Sequence, residues 1–341
     1  MVDLSSYDRV FVLCDENTEE HCLPRFISGI NYDEYGITAE DLNVITIPAG
    51  DENKTLSIAM QVWKELLDRG ATRRSVLINL GGGMVSDLGG FVASTYKRGI
   101  TYMNIPTTLL SMVDASTGGK TGVNFSGIKN IIGVFNKPAR ILFNTEYFRT
   151  LDRENFLSGY AEMLKHGLIS KADILNELLS FDIDNPDYGQ LEHMIRRSVG
   201  VKKYFVDRDP SERHMRKALN FGHTLGHALE SFALANNRPV LHGYAIAWGM
   251  VCELYLSTAY YEFPEDLMHT VVNFINEQYG KIDFSCDDYE QIFEYVRHDK
   301  KNEGDDILFT LLSDKGQVRI NRPITKEQIF HALDFYRDGQ G

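Results

Sequence analysis

Cysteine is scarce in this chain. Four residues (Cys14, Cys22, Cys252 and Cys286) are spread over 341 positions, with no CxxC pair, which excludes a disulfide framework. No apolar run approaches the roughly 18 residues that a transmembrane helix requires. The first residues, Met1 to Asp8, lack a cationic segment followed by a long apolar one. These absences predict a reduced, soluble, cytoplasmic protein. Positive charge is also short: 35 Lys and Arg face 48 Asp and Glu, a net charge of −13. Such acidity argues against nucleic-acid binding and against attraction to an anionic membrane. Repeats, low-complexity tracts and long linkers are missing as well. What remains is 43% hydrophobic and 24% charged, an ordinary globular composition of a length that suggests two domains.

The first half alternates strand and helix signals. Strands are expected at Arg9–Cys14, Asn43–Ile47, Ser75–Leu80, Tyr102–Ile105 and Arg140–Phe143, with a helix over Leu56–Arg69. Alternation of this kind implies a parallel sheet with crossover connections. Beyond about residue 150, helical periods run through 153–181, 187–206, 213–236, 241–261, 265–279 and 287–298. One late strand is expected at Ile307–Leu312. The chain thus reads as an α/β nucleotide-type domain over 1–150 and a mostly helical domain over 151–341, with ligands expected between them.

Gly81-Gly82-Gly83 follows a strand and opens a helix that carries Asp87. Glycines there allow a pyrophosphate to approach the backbone, and the helix N-terminus offers N–H donors. The spacing is not Gly-x-Gly-x-x-Gly, so a plain flexible turn is an equal reading of the glycines alone. Charge adds weight to the anion reading. Residues 88–140 hold Lys97, Arg98, Lys120, Lys129, Lys137 and Arg140 against one acid, Asp114, a local charge of +5. Glycine-flanked cations suit phosphate or carboxylate recognition.

Residues 213–236 carry a polar stripe. On a continuous helix Arg216, Asn220, His223, His227 and Glu230 fall within an arc of roughly 80°. Gly222 and Gly226 lie inside that helix, each costing about 1 kcal/mol relative to Ala, which suggests that something approaches it closely. His223 and His227, at i and i+4, are able to share a divalent metal, and the helix alone points to both as ligands. Glu162, Lys165 and His166 form a second stripe, which alone also fits an exposed Glu–Lys pair. His242 opens a further helix.

In this order the motifs resemble the 3-dehydroquinate synthase family. They are Gly81-Gly82-Gly83 with Asp87, Pro106-Thr107-Thr108-Leu109-Leu110, Asp114, Gly118-Gly119-Lys120-Thr121, Lys129-Asn130, Glu162 with Lys165, Leu219-Asn220-Phe221-Gly222-His223-Thr224-Leu225-Gly226-His227, His242-Gly243 and Asp299-Lys300-Lys301. The resemblance spans about Asp15 to Leu312. It implies an N-terminal Rossmann-like NAD-binding domain, a C-terminal helical metal domain and a homodimer. It implies Glu162, His223 and His242 as ligands of Zn2+ or Co2+, which moves His227 to the substrate. NAD+ contacts would come from Asp15, Asp51, Lys54, Gly81, Gly82, Gly83, Asp87, Thr107, Thr108, Lys120, Lys129, Phe148 and Thr150. Substrate contacts would come from Asp114, Lys120, Asn130, Lys165, Lys202, Arg216, Asn220, His227 and one of Lys300 or Lys301. Arg98 would reach the neighbouring subunit's phosphate site. One departure is visible: the family's common His-Gly-Glu reads His242-Gly243-Tyr244 here, which is expected to alter the hydrogen-bonded support of the metal.

The implied substrate is a small anionic sugar phosphate, 3-deoxy-D-arabino-heptulosonate 7-phosphate. The implied reaction runs through oxidation by NAD+, β-elimination of phosphate, return of the hydride, ring opening and an aldol closure to 3-dehydroquinate, a step of the shikimate pathway. Three rivals stand beside it. A metal-dependent polyol dehydrogenase shares the glycine turn but needs fewer anion-binding residues. Another sugar-phosphate cyclase would differ around Asn130, Lys202 and His227. A non-catalytic NAD- or metal-binding regulator would have no use for the full ligand and pocket set.

Overall fold

The computed structural model describes residues 4–32, 38–126, 128–171, 173–297 and 307–339. The chain divides between Asp152 and Arg153 into two compact units.

The first unit is built on a parallel sheet. Its strands are β1 (Val10–Asp15), β2 (Leu42–Ile47), β3 (Val76–Gly81), β4 (Thr101–Pro106) and, after an inserted hairpin of β5 (Lys120–Phe125) and β6 (Ile128–Phe135), β7 (Arg140–Ile141). The order is β2-β1-β3-β4-β7, parallel throughout. The central strands β1 and β3 are buried along their whole length, as expected for apolar strands covered on both faces. Their side chains alternate between two cores. Phe11, Leu13, Leu77 and Tyr102 pack beneath α3 (Leu56–Asp68) and α4 (Gly83–Thr95). Val10, Val12, Ile78, Leu80, Met103 and Ile105 face the side of the short helices α1 (Glu16–His21) and α2 (Leu23–Ser28).

In this order the connections leave β1 and β3 in opposite directions, which opens a crevice at their carboxyl ends. Asp15 and Gly81 close those two strands. The five sheet strands lie where the sequence places them, the last ending two residues short. The hairpin over 120–135 has no counterpart in the sequence reading. Strand β6 is exposed almost throughout, so it lacks the apolar alternation that announces a strand.

The second unit is mostly helical, the α/β-plus-α class expected. Its helices are α5 (Arg153–Ile169), α6 (Leu175–Ser180), α7 (Tyr188–Arg208), α8 (His223–Ala235), α9 (His242–Tyr261), α10 (Glu265–Tyr279), α11 (Tyr289–Arg297) and α12 (Lys326–Asp338), with a hairpin of β8 (Leu308–Asp314) and β9 (Gln317–Pro323). Helix α9 is central and buried from Ala245 to Leu254. The expected helix over 153–181 is two helices, α5 and α6. The helix expected over 213–236 also breaks. Met215–Asn220 is a 3-10 turn, and α8 starts only at His223, after Gly222 adopts a left-handed φ of +79°. Gly222 is therefore a helix-entry residue and not an interior one.

The close approach suggested by Gly222 and Gly226 is made by α9. A Cβ on Gly249 would lie 2.0 Å from the Gly222 carbonyl oxygen and 2.5 Å from the Gly226 nitrogen. A Cβ on Gly243 would lie 2.0 Å from the Ser158 carbonyl oxygen of α5. Glycines thus let α9 press its backbone onto both α8 and α5, which brings their polar side chains together.

Candidate active site

Three side chains of the second unit converge. Glu162 of α5 is fully buried, and its Oε1 has no hydrogen-bond partner among the described residues. Its Oε2 lies against the Lys165 ammonium as an ion pair. Its Oε1 lies 3.5 Å from His223 Nε2 and 3.8 Å from His242 Nε2. The other nitrogen of each ring faces an acceptor: His223 Nδ1 is 3.1 Å from the Phe221 carbonyl oxygen, and His242 Nδ1 is 3.4 Å from Glu230 Oε2. Each Nδ1 therefore donates, and in the neutral ring each Nε2 carries its lone pair toward Glu162.

A buried carboxylate oxygen and two imidazole lone pairs facing one another repel unless a cation lies between them. Nitrogen and oxygen donors in this number suit Zn2+ or Co2+ with a coordination position left over. His227, one turn along α8, belongs to the same cluster. A nitrogen of each of His223, His227 and His242 lies within 4.8 Å of the others.

Two carboxylates outside the expected set hold this arrangement. Glu253 of α9, fully buried, accepts from the backbone N–H of Gly222 (2.6 Å), Thr224 (3.1 Å) and Leu225 (3.3 Å). It satisfies the free N–H groups at the start of α8 and so fixes His223. Asp209 accepts from the backbone N–H of Arg213 (3.1 Å), His214 (2.7 Å) and Arg216 (3.1 Å). It shapes the loop that carries Arg216, whose Nη1 donates to the Pro210 carbonyl at 2.9 Å.

Lys165, Lys202 and Arg216 are all buried cations, and Asn220 Nδ2 donates to Glu212 Oε1 at 3.3 Å. Arg216 and Asn220 sit on the 3-10 turn, so the expected stripe is continuous only across His223, His227 and Glu230 of α8. His166, one turn beyond Glu162, pairs its Nδ1 with Ser198 Oγ at 2.7 Å inside the core. Lys300 and Lys301 lie outside the described residues.

In the first unit the expected cofactor residues gather at the carboxyl ends of the strands. Gly81 must lack a side chain, because a Cβ would lie 2.6 Å from that of Val85. Its carbonyl accepts from Thr107 N–H at 3.1 Å, tying the β3 turn to the β4 turn, and Thr108 lies beside Gly82. Gly82 caps α4 and Gly83 begins it. The turn therefore presents helix N–H groups over a floor with little side-chain bulk, which fits a pyrophosphate.

Lys54 is buried and reaches both Asp51 Oδ1 (3.1 Å) and Asp87 Oδ2 (3.3 Å). Lys129 lies 3.6 Å from Asp51 Oδ2. Asn124, not singled out in the sequence, donates to the Asp51 carbonyl at 2.9 Å and accepts from Asn130 N–H at 2.9 Å. It joins the 51–54 turn to the β5–β6 hairpin. Asp15 is occupied as the cap of α1, where its Oδ1 accepts from Thr18 N–H at 2.8 Å. Phe148 is buried, while Thr150 is exposed and bonds the Tyr147 carbonyl at 3.2 Å. Asp114 lies in a single π-helical turn, Ser111–Ala115, and Lys120 opens β5. Lys97 and Arg98 are exposed with left-handed φ of 49° and 67°.

The chain resembles known proteins over nearly its whole length. Residues 44–158 match the model of the 3-dehydroquinate synthase N-terminal domain, and residues 159–302 match that of the C-terminal domain. The chain belongs to the 3-dehydroquinate synthase family. It is an enzyme of that type. The 3-dehydroquinate synthase of Parabacteroides distasonis is 48% identical over 98% of this chain and 93% of its own length. That of Clostridium tetani is 38% identical over 84% and 76%.

Among solved structures, 2-deoxy-scyllo-inosose synthase complexed with carbaglucose-6-phosphate, NAD+ and Co2+ superposes with a TM-score of 0.82 at 24% identity, covering 99% of this chain and 92% of that one. The 2-epi-5-epi-valiolone synthase from Streptomyces hygroscopicus, with NAD+ and Zn2+ bound, gives 0.82 at 22% identity over 97% and 91%. Glycerol dehydrogenase from Schizosaccharomyces pombe gives 0.64 at 14% identity over 97% and 83%. The last of these shares the fold, which is why the glycine turn alone leaves a polyol dehydrogenase open; the family match closes that reading. No helix among the described residues is long and apolar enough to cross a membrane.

Proposed function

We propose that this chain holds NAD+ on its first unit and a divalent metal, Zn2+ or Co2+, on its second. With them it converts 3-deoxy-D-arabino-heptulosonate 7-phosphate to 3-dehydroquinate and phosphate. The observation that carries this reading is the approach of His223 Nε2 and His242 Nε2, both partly exposed, to Oε1 of the buried Glu162 carboxylate. When bound, NAD+ supplies a reversible hydride acceptor and the metal a Lewis acid toward a substrate hydroxyl.

The residues supply the rest. Glu162, His223 and His242 form the metal set, and Lys165 neutralises the second Glu162 oxygen. The Gly81–Asp87 turn, with Thr107 and Thr108, receives the cofactor pyrophosphate, while Lys54 holds Asp51 and Asp87 in place beside it. Lys120, Asn130, Lys165, Lys202, Arg216 and Asn220, with Lys300 or Lys301, bind the phosphate and carboxylate of the substrate. In this reading His227, next to the metal set but left out of it, moves protons, as does Asp114. Arg98, on an exposed turn, serves the phosphate site of the other subunit in a homodimer. The four cysteines are free thiols, in keeping with a cytoplasmic enzyme.

The test is phosphate release from the heptulosonate phosphate, with the product identified by mass. Catalytic NAD+ suffices and NADH does not accumulate. Chelation abolishes activity, and a single divalent ion restores it. Full activity in metal-free protein, or NADH formed in proportion to product, overturns the reading.

A further inference from the structure

Resting on the metal reading above, we propose that Glu230 is the positioning residue that orients His242 for the metal, and that Tyr244 has no part in this. The two histidine ligands are anchored differently. His223 has a backbone acceptor in the Phe221 carbonyl, and Glu253 fixes its helix entry from beneath. No side chain can vary the first of these contacts.

His242 takes its ring contact from a side chain. It is the first residue of α9, its N-cap Leu241 offers no side-chain cap, and its side chain is 33% exposed. The contact shown on its Nδ1 side is Glu230 Oε2, at 3.4 Å. Glu230 lies two turns after His223 on α8, hence on the same face. Its carboxylate is largely withdrawn from water, where a charged hydrogen bond is stronger than in solution. Donation from Nδ1 to that carboxylate leaves the lone pair on Nε2, turns it toward Glu162 Oε1 and makes the ring a better donor to a metal.

Tyr244, where the family commonly has a glutamate, follows His242 by two positions, so it leaves the helix on nearly the opposite side. Its ring packs edge-on against Tyr279 (centroids 5.2 Å apart) and Trp248 (6.2 Å). In this chain the position belongs to an aromatic cluster, and the carboxylate for the ligand comes from the neighbouring helix. With Tyr244 in the departing position, the carboxylate support of His242 falls to Glu230.

The experiment measures metal affinity directly. Full-length protein is stripped with a chelator and titrated with Co2+ by visible absorption, and with Zn2+ in competition with a chromophoric chelator. E230A is expected to bind about 10–100-fold more weakly, with an altered Co2+ spectrum. E230Q, which keeps an acceptor and loses the charge, falls between E230A and the parent. Y244F binds like the parent. E230A binding with parental affinity and spectrum overturns the proposal, as does a loss in Y244F equal to that in E230A. Should E230A fail to fold by circular dichroism, the near-isosteric E230Q decides: parental affinity overturns the proposal, and weakened affinity supports it. H242A keeps the two readings apart. If H242A loses the metal and E230A does not, the Glu230 proposal alone fails. If the parent takes up no stoichiometric Co2+, both fail.

Discussion

Asp87 shares a small volume with two other acids and one buried lysine. Burial pushes its carboxyl up to about 6 against the pull of Lys54, and Asp51 and Asp114 add to the rise. Burial also acts on Asp51, but there Lys54, with help from Lys129 and Asn124, wins and holds the group below the usual range. A raised folded pKa means that the folded chain keeps a proton the unfolded chain has already released. The stabilisation is complete below the ordinary value of 3.8 and is lost as pH rises through about 6. D87N is therefore expected to stabilise the cofactor-free protein at pH 7.5 by about 1–3 kcal/mol. The gain vanishes by pH 4. Chemical melts at the two pH values check this; a gain independent of pH would place its origin elsewhere. The sequence shows Asp51, Lys54 and Asp87 separately, but not that one ammonium serves two carboxylates, since that depends on how the turn after β2 lies over α4.

The junction of α8 and α9 shows what an element-level reading resolves and where it stops. Gly222 and Gly226 correctly signal a close neighbour, because glycine inside a helix carries a cost that packing must offset. The period of 3.6 runs on through Phe221, so it cannot show that the helix breaks there. The break is decided by Glu253, a residue of another helix, which captures the N–H groups of Gly222, Thr224 and Leu225. Gly249→Ala would place a methyl within 2.0 Å of the Gly222 carbonyl oxygen, a clash with backbone that only separation of the helices relieves. We expect a loss of about 1–3 kcal/mol in urea unfolding, accompanied by weaker Co2+ binding because His223 follows Gly222. A destabilised variant with unchanged metal affinity would show that α8 and α9 do not jointly position the site.

For the whole molecule, the net charge of −13 says little about small anions, which local cations such as Lys165, Lys202 and Arg216 can meet. The β5–β6 hairpin carries the largest apolar surprise. Phe125, Ile128, Ile131, Val134 and Phe135 are all exposed on it, more than solvated surface normally shows in one place. The proposed homodimer is expected to use this hairpin, since a long exposed strand invites pairing with a second copy. The double variant I131K/F135K should sediment as a monomer while the parent sediments as a dimer. Unchanged sedimentation would move the interface elsewhere. Sequence alone determined the parallel sheet, the helical second half and the glycine turn, because these follow from local periodicity and from short motifs whose chemistry is carried by residue identity. Only the tertiary structure decided the break before His223, the acceptors that face His223 and His242, the service of Lys54 to two acids and the aromatic fate of Tyr244. Each of these depends on which side chain from a distant segment reaches a given polar group. Such a partner is set by the packing of whole helices and strands and leaves no periodic trace in the chain.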